Sequence, residues 1–144
     1  MKFNLYENDK TFIGKFDHNS DILTAMNEFC NQHQIKTGSF SIIGAVKKSI
    51  LGFYNQHTKK YSSLEQYDKP MEIVSCSGNI SIKDGKSFTH MHIVLSDEEG
   101  KAVGGHVMPG TIIFAGEFII HSYKGNELIR SLDEQTGLPL WGNL

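Results

Sequence analysis

Phe88-Thr89-His90-Met91-His92-Ile93-Val94-Leu95, then Asp97-Glu98-Glu99-Gly100, then Ala102-Val103-Gly104-Gly105-His106-Val107 is the stretch that decides the fold. The first and third segments read as strands. The acidic cluster ending in glycine reads as the turn that joins them. Residues two apart on a strand share a face, so His90 and His92 point to one side. If Asp97 to Lys101 is the loop, Ser96 pairs with Ala102 and the register sets His92 opposite His106. Directly opposed residues have Cβ atoms roughly 5 Å apart. Three neutral imidazoles then converge on one point. Zinc is the usual occupant of such a set, with a fourth position left for water or a ligand. The plainer reading is polar histidines on a solvated sheet face, or hydrogen-bonded core histidines. The convergence of three under one register favours His90, His92 and His106 as metal ligands.

Working outward, strand signals dominate in both directions. Met71 to Ile82 alternates, with Ile73, Ser75 and Ser77 set against Glu72, Val74 and Cys76, and Asp84-Gly85 marks a hairpin turn. Upstream, Phe40–Ile43 and Val46–Tyr54 read as strands separated at Gly44. Asn55 to Tyr67 reads as a polar loop, with room for a short strand near Tyr61. Downstream, Thr111–His121 and Glu127–Leu132 read as strands, with turns at Pro109-Gly110 and Lys124-Gly125-Asn126. A first strand is expected at Thr11–Phe16. Asp17-His18-Asn19-Ser20 then leads into one helix from Asp21 to about His33, capped by Ser20 or Asn19. Ile22, Met26, Phe29, Cys30 and His33 form its apolar face. One helix and a run of strands define an α+β class with a mixed, mainly antiparallel sheet. The expected layout is a single domain over residues 1–144, with its core at about 11–132 and a tail at 133–144. The tail's Trp141 is expected to pack on the body or on a neighbouring subunit.

Other polar groups stand out less. Glu72 and Glu117 sit inside otherwise apolar strands and are the candidate catalytic carboxylates. A buried carboxylate needs a partner, whereas an outward one needs none. His121 is a candidate support for the metal ligands, while His18, His33 and His57 read as incidental. Gly104-Gly105 suggests a bulge or a close approach of a ligand to the backbone.

Composition sets the outer limits. The chain has 144 residues, a net charge of −2, 39% hydrophobic and 21% charged residues. Arg130 is the sole arginine. Nucleic-acid binders carry a basic face or tail, so direct DNA binding is expected to be weak or absent. No run reaches the roughly 18 apolar residues of a membrane helix, and the polar N-terminus lacks a signal-peptide core. Two isolated cysteines, Cys30 and Cys76, read as reduced, buried thiols, so the expected setting is the cytoplasm.

Four segments resemble a known family. They are Gly38-Ser39-Phe40-Ser41-Ile42-Ile43-Gly44-Ala45; Met71-Glu72-Ile73-Val74-Ser75-Cys76-Ser77-Gly78-Asn79-Ile80; the His90–Gly100 stretch; and Gly104-Gly105-His106-Val107-Met108-Pro109-Gly110. Together they resemble the plant and prokaryote conserved domain, with Glu117 at the family's strand glutamate. The resemblance implies an α+β fold assembled as a homotrimer and a description as DNA-binding, drawn from AT-hook proteins of that family. This chain has no Arg-Gly-Arg-Pro hook. The resemblance also implies a fold shared with acetolactate decarboxylase, a zinc lyase. Two functions follow as expectations. One is a metal-binding, homotrimeric module with a binding or regulatory role towards a protein partner or small ligand. The other is a zinc-dependent lyase or hydrolase acting on a small oxygenated molecule.

Overall fold

The computed structural model describes the backbone of all 144 residues and the side chains of all but residues 62–64. Nine strands and one α-helix follow in the order β1 (Glu7–Lys15), α1 (Ile22–Gln32), β2 (Gly38–Asn55), β3 (Lys60–Tyr67), β4 (Met71–Lys83), β5 (Lys86–Ser96), β6 (Ala102–Val107), β7 (Ile112–Lys124), β8 (Arg130–Asp133) and β9 (Leu138–Trp141). Every ladder between these strands is antiparallel. The expected mixed character reduces to one isolated parallel bridge, Ile82 with Ile129. No helix is long and apolar enough to cross a membrane among the described residues.

The β5–β6 hairpin has the register its turn length implies, with Ser96 opposite Ala102 and His92 opposite His106. The β4–β5 turn is as tight as Asp84-Gly85 suggests. Lys83 pairs with Lys86, and both turn residues take positive φ, 52° and 75°, the conformation a two-residue hairpin loop demands. The alternation read for β4 needs correction. A register shift between Ile73 and Ser75 changes the phase, so Ile73 and Cys76 are both buried on the core face while Val74 and Ser75 are exposed. A bulge adds one residue to one strand and moves everything beyond it to the other face.

β2 corrects a second expectation. The two strands read on either side of Gly44 form one strand of 18 residues. Gly44 takes φ +135° against the backbone of Ala115 and Gly116, a position that admits no side chain. The first half of β2 lies between β4 and β7, and its second half between β3 and β6. Since β6 pairs with both β5 and β2, strands β2-β4-β5-β6 close on themselves. Ile42, Val46, Ile80, Met91, Ile93, Leu95 and Val107 fill the interior at 2% exposure or less. The stretch read as a loop with room for a short strand near Tyr61, Asn55–Tyr67, contains the eight-residue strand β3, which includes Tyr61. Its described side chains are exposed or half-buried, so no apolar alternation betrays it.

The helix is set by specific hydrogen bonds. Its cap is Asp21, not Ser20 or Asn19. Asp21 Oδ1 accepts from Thr24 N at 2.8 Å, and Oδ2 accepts from Gly110 N at 2.6 Å, tying the helix start to the turn before β7. Ile22, Met26 and Cys30 are buried; Phe29 is half-buried, and His33 is exposed at the end. One turn apart, Asn27 and Asn31 face the edge of β5. Asn27 Oδ1 accepts from Thr89 N and Oγ1, at 2.8 and 2.9 Å. Asn31 Oδ1 accepts from Ser87 N at 2.9 Å, and its Nδ2 donates to Ser87 O at 3.1 Å. β6 covers β5 only from His92 to Ser96. The two asparagines take over pairing along the edge that β6 leaves open, and they hold Ser87 and Thr89 inward.

The ends differ from their sequence readings in extent. β1 starts at Glu7 rather than Thr11, and β7 continues to Lys124 rather than His121. The last strand shifts from Glu127–Leu132 to Arg130–Asp133 and forms a separate two-stranded sheet with β9. Trp141 lies on this sheet, 5.9 Å from the Arg130 guanidinium.

Candidate metal centre

Inward residues of β5 alternate with the histidines. Thr89, Met91 and Ile93 are buried in the core, so His90 and His92 stand on the opposite side of the strand. His106 reaches the same point from β6. The ring centroids lie 5.1 Å apart for His90–His92, 5.0 Å for His90–His106 and 5.3 Å for His92–His106. One nitrogen from each ring falls within 4.8 Å of the others. The Nε2 atoms of His90 and His92 are 3.3 Å apart. Two nitrogens bound at about 2.05 Å to a tetrahedral ion are ~3.3 Å apart, so this pair has the spacing of two zinc ligands.

The electrostatics agree with that chemistry. Burial, then the neighbouring His106, Arg130 and His92, push the His90 pKa down from 6.5 to about 4. Burial, then His92 and Arg130, push His106 down to about 4 as well. Both imidazoles are therefore neutral at pH 7, the form that ligates metals. His106 Nδ1 is buried without a hydrogen-bond partner, an arrangement that costs free energy unless a ligand takes it up.

Gly104 and Gly105 explain how close the strands come. A Cβ on Gly104 would lie 2.9 Å from Ile93 O, and one on Gly105 would lie 3.2 Å from Gly52 O. The β5–β6 ladder shows no register shift here, so the expected bulge is absent. The close approach is to neighbouring backbone.

The three histidines open onto a cavity of about 660 Å³. Its wall includes Tyr54, Tyr61, Phe88, Met108, Leu138 and Leu140, together with Lys83 and Arg130. Tyr61 stacks at 5.3 Å from His106. Arg130 is the residue that sequence reading did not place. Its Nε donates to Ser81 Oγ at 2.7 Å, Nη1 to Pro139 O at 2.7 Å and Nη2 to Asn79 Oδ1 at 2.8 Å. Ser81 and Asn79 are on β4, so these bonds dock β8 beside the histidines. Its being the sole arginine was the only available signal.

Glu72 and Glu117 are not brought to the histidines. Both are exposed, and each lines a different surface hollow, Glu72 beside Lys47 and Phe114, Glu117 beside Ile13 and Ile43. His121 is exposed on β7 and its Nδ1 meets Thr11 Oγ1 at 3.1 Å, away from the cavity wall. His18 Nδ1 meets Phe114 O, and His33 stacks on Phe12 and Phe29. Cys30 and Cys76 are free, buried thiols whose pKa burial raises to about 12.

A closed antiparallel sheet braced by one helix, with three histidines converging on an open cavity, defines a small domain with a candidate metal site. Residues 5–124 match the Plants and Prokaryotes Conserved (PCC) domain, and the chain belongs to this family. A metal-containing protein from Archaeoglobus fulgidus has a similar structure, with 37% identity, 98% of this chain and 99% of that chain covered, and a TM-score of 0.93. A Bacteroides thetaiotaomicron protein with a provisional DNA-binding designation follows at 29% identity, coverage of 96% and 97%, and a TM-score of 0.84. Acetolactate decarboxylase from Bacillus subtilis shares the fold alone, at 19% identity, coverage of 89% of this chain and 58% of that chain, and a TM-score of 0.57. In sequence, the bifunctional protein GlmU of Synechococcus sp. is 27% identical over 119 residues, 81% of this chain. The chain spans only 18% of that relative's length.

Proposed function

We propose that this chain is a zinc-binding PCC-domain protein, assembled as a homotrimer, whose metal receives a small ligand in a binding or regulatory role. The observation that carries the reading is the convergence of His90, His92 and His106 within 4.8 Å at the mouth of a cavity. Three protein ligands leave a tetrahedral ion one open position, whereas a purely structural zinc is closed by four. The metal-containing relative from Archaeoglobus fulgidus supports the same reading. The single domain is read as cytoplasmic, and direct DNA binding as weak. Its net charge of −2 and sole arginine offer little phosphate neutralisation.

A zinc-dependent lyase or hydrolase is the second reading, favoured by Arg130 and Tyr61 in the cavity wall. Polar groups beside an open metal position are what a substrate needs. Glu72 and Glu117 remain the carboxylates proposed from sequence, and their exposure weighs against a catalytic role.

Metal analysis of purified protein tests the site. Wild type is expected to hold one divalent ion per chain, zinc when zinc is supplied, and His92→Ala to hold none. Wild-type metal content in a variant with all three histidines replaced by alanine would remove the site.

A further inference from the structure

The charges around the cavity are one-sided. The chain carries 16 acidic and 14 basic residues, yet among the described residues no aspartate or glutamate lines the cavity at the histidines. The charged side chains in its wall are Lys83 and Arg130. Both cations sit over one ring: Lys83 Nζ is 5.1 Å from the Phe88 centroid, and Arg130 Cζ is 5.3 Å from it. Arg130 is half-buried and fixed by three hydrogen bonds. A guanidinium has five N–H donors, so two remain. With its shape fixed in advance, little side-chain entropy is lost when an anion arrives. Apart from the histidines and the hydroxyls of Tyr54, Tyr61 and Thr89, the rest of the wall is mainly apolar: Phe53, Leu138 and Leu140 face the same space.

We infer that the cavity selects a small organic oxyanion, a carboxylate or phosphate carried on an apolar body, which bridges the metal position and the Arg130–Lys83 pair. The inference rests on the proposed metal at the three histidines, because that ion supplies the anion's other partner. Neutral imidazoles give a divalent ion no compensating charge, and Arg130 and Lys83 add two more positive charges. Charge that a ligand removes from water favours a counter-charge, and among the described residues of this wall there is none. The apolar surface then favours a hydrocarbon substituent over inorganic anions. An alcohol of the same shape fills the space but leaves the cations unpaired.

Calorimetric titration of zinc-loaded protein with hexanoate, hexyl phosphate, hexan-1-ol and acetate tests this. One or both hexyl oxyanions are expected to bind at least tenfold more tightly than hexan-1-ol and than acetate, and their relative affinities identify the headgroup. Arg130→Met and Lys83→Met are each expected to lower that affinity at least threefold with zinc content unchanged. Lys83 makes no hydrogen bond to the β8 sheet, so its variant keeps the test decisive if Arg130→Met fails to fold. Equal binding of hexan-1-ol and both oxyanions by zinc-replete protein would overturn the anion inference alone. Failure of wild type to take up metal would overturn the metal reading. The same titration of metal-free protein then decides the rest: a hexyl-oxyanion preference lost in Lys83→Met keeps the anion site, and no preference overturns it.

Discussion

His90 and His106 carry a linked consequence for stability. In the unfolded chain each imidazole titrates near 6.5, whereas in the folded, metal-free protein each is held at about 4. Between those values the unfolded state binds more protons, so stability rises with pH. Metal-free protein should therefore lose stability as pH falls from about 6.5 to about 4 and be insensitive to these groups above that window. Urea unfolding at pH 7.5, 5.5 and 4.5 measures it. The double variant with asparagine at positions 90 and 106 should show a shallower loss than wild type. An identical pH dependence in the two proteins would refute the assignment. Protons compete with the metal at the same nitrogens, so metal loading should fall over the acidic range.

At the scale of elements, the helix matters through two asparagines as much as through its apolar face. Thr89 is 1% exposed, and Asn27 satisfies both its N–H and its hydroxyl. Asn27→Ala leaves two buried donors unpaired and should cost about 2–3 kcal/mol, readable as a lower urea midpoint at unchanged slope. A cost within error of zero would mean that water substitutes for the side chain. The β5–β6 pair is equally constrained. Gly104→Val places a branched side chain against Ile93 O, where a Cβ already approaches to 2.9 Å. The strands must part, and His106 moves with β6. Metal affinity should fall at least tenfold while Asn27-dependent stability persists; full metal affinity in Gly104→Val would show that the strand spacing is not what sets the site.

Across the whole molecule, the sheet has two unequal faces. The inner face is filled by core residues and covered by the helix. On the outer face Ile13, Ile43 and Ile119 are 78%, 59% and 40% exposed. Ile119 is paired with Ile13 on β1, and Ile43 on β2 lies one step further along, opposite Glu117, so the three isoleucines are neighbours across three strands with Ser41 and Glu117 among them. Phe114 on β7, and Val74 and Val94 on β4 and β5, are exposed too. Apolar patches of this extent mark association surfaces. The closed strands β2-β4-β5-β6 hide their own interior, so the strand runs alone do not demand partners; the outer isoleucines are where the proposed trimer contact would fall. Light scattering should return three times the 16.2 kDa of one chain, and Ile43→Glu should lower that mass. A wild-type mass near one chain would eliminate the trimer.

Local chemistry in the sequence was sufficient for the histidine hairpin. Strand period two and the length of the Asp97–Lys101 turn fix which residues oppose each other, and both are properties of neighbouring residues. The type and rough place of the helix and of most strands were legible for the same reason. The bulge after Ile73, the continuity of β2 through Gly44 and the full length of β3 were not. Each depends on which backbone lies alongside, and pairing between distant segments leaves no periodic trace when the side chains face solvent. Arg130 shows the same limit. It lies forty positions beyond His90 in sequence, and the hydrogen bonds to Asn79 and Ser81 hold it at the cavity. For Glu72 and Glu117 the sequence left a buried and a solvent-facing reading open, because their neighbours are apolar; the structure exposes both, since one face of those strands remains outside the core. Sequence determined which three histidines share a face; tertiary structure decided the cavity around them, because a cavity is made by residues that meet only after the sheet closes.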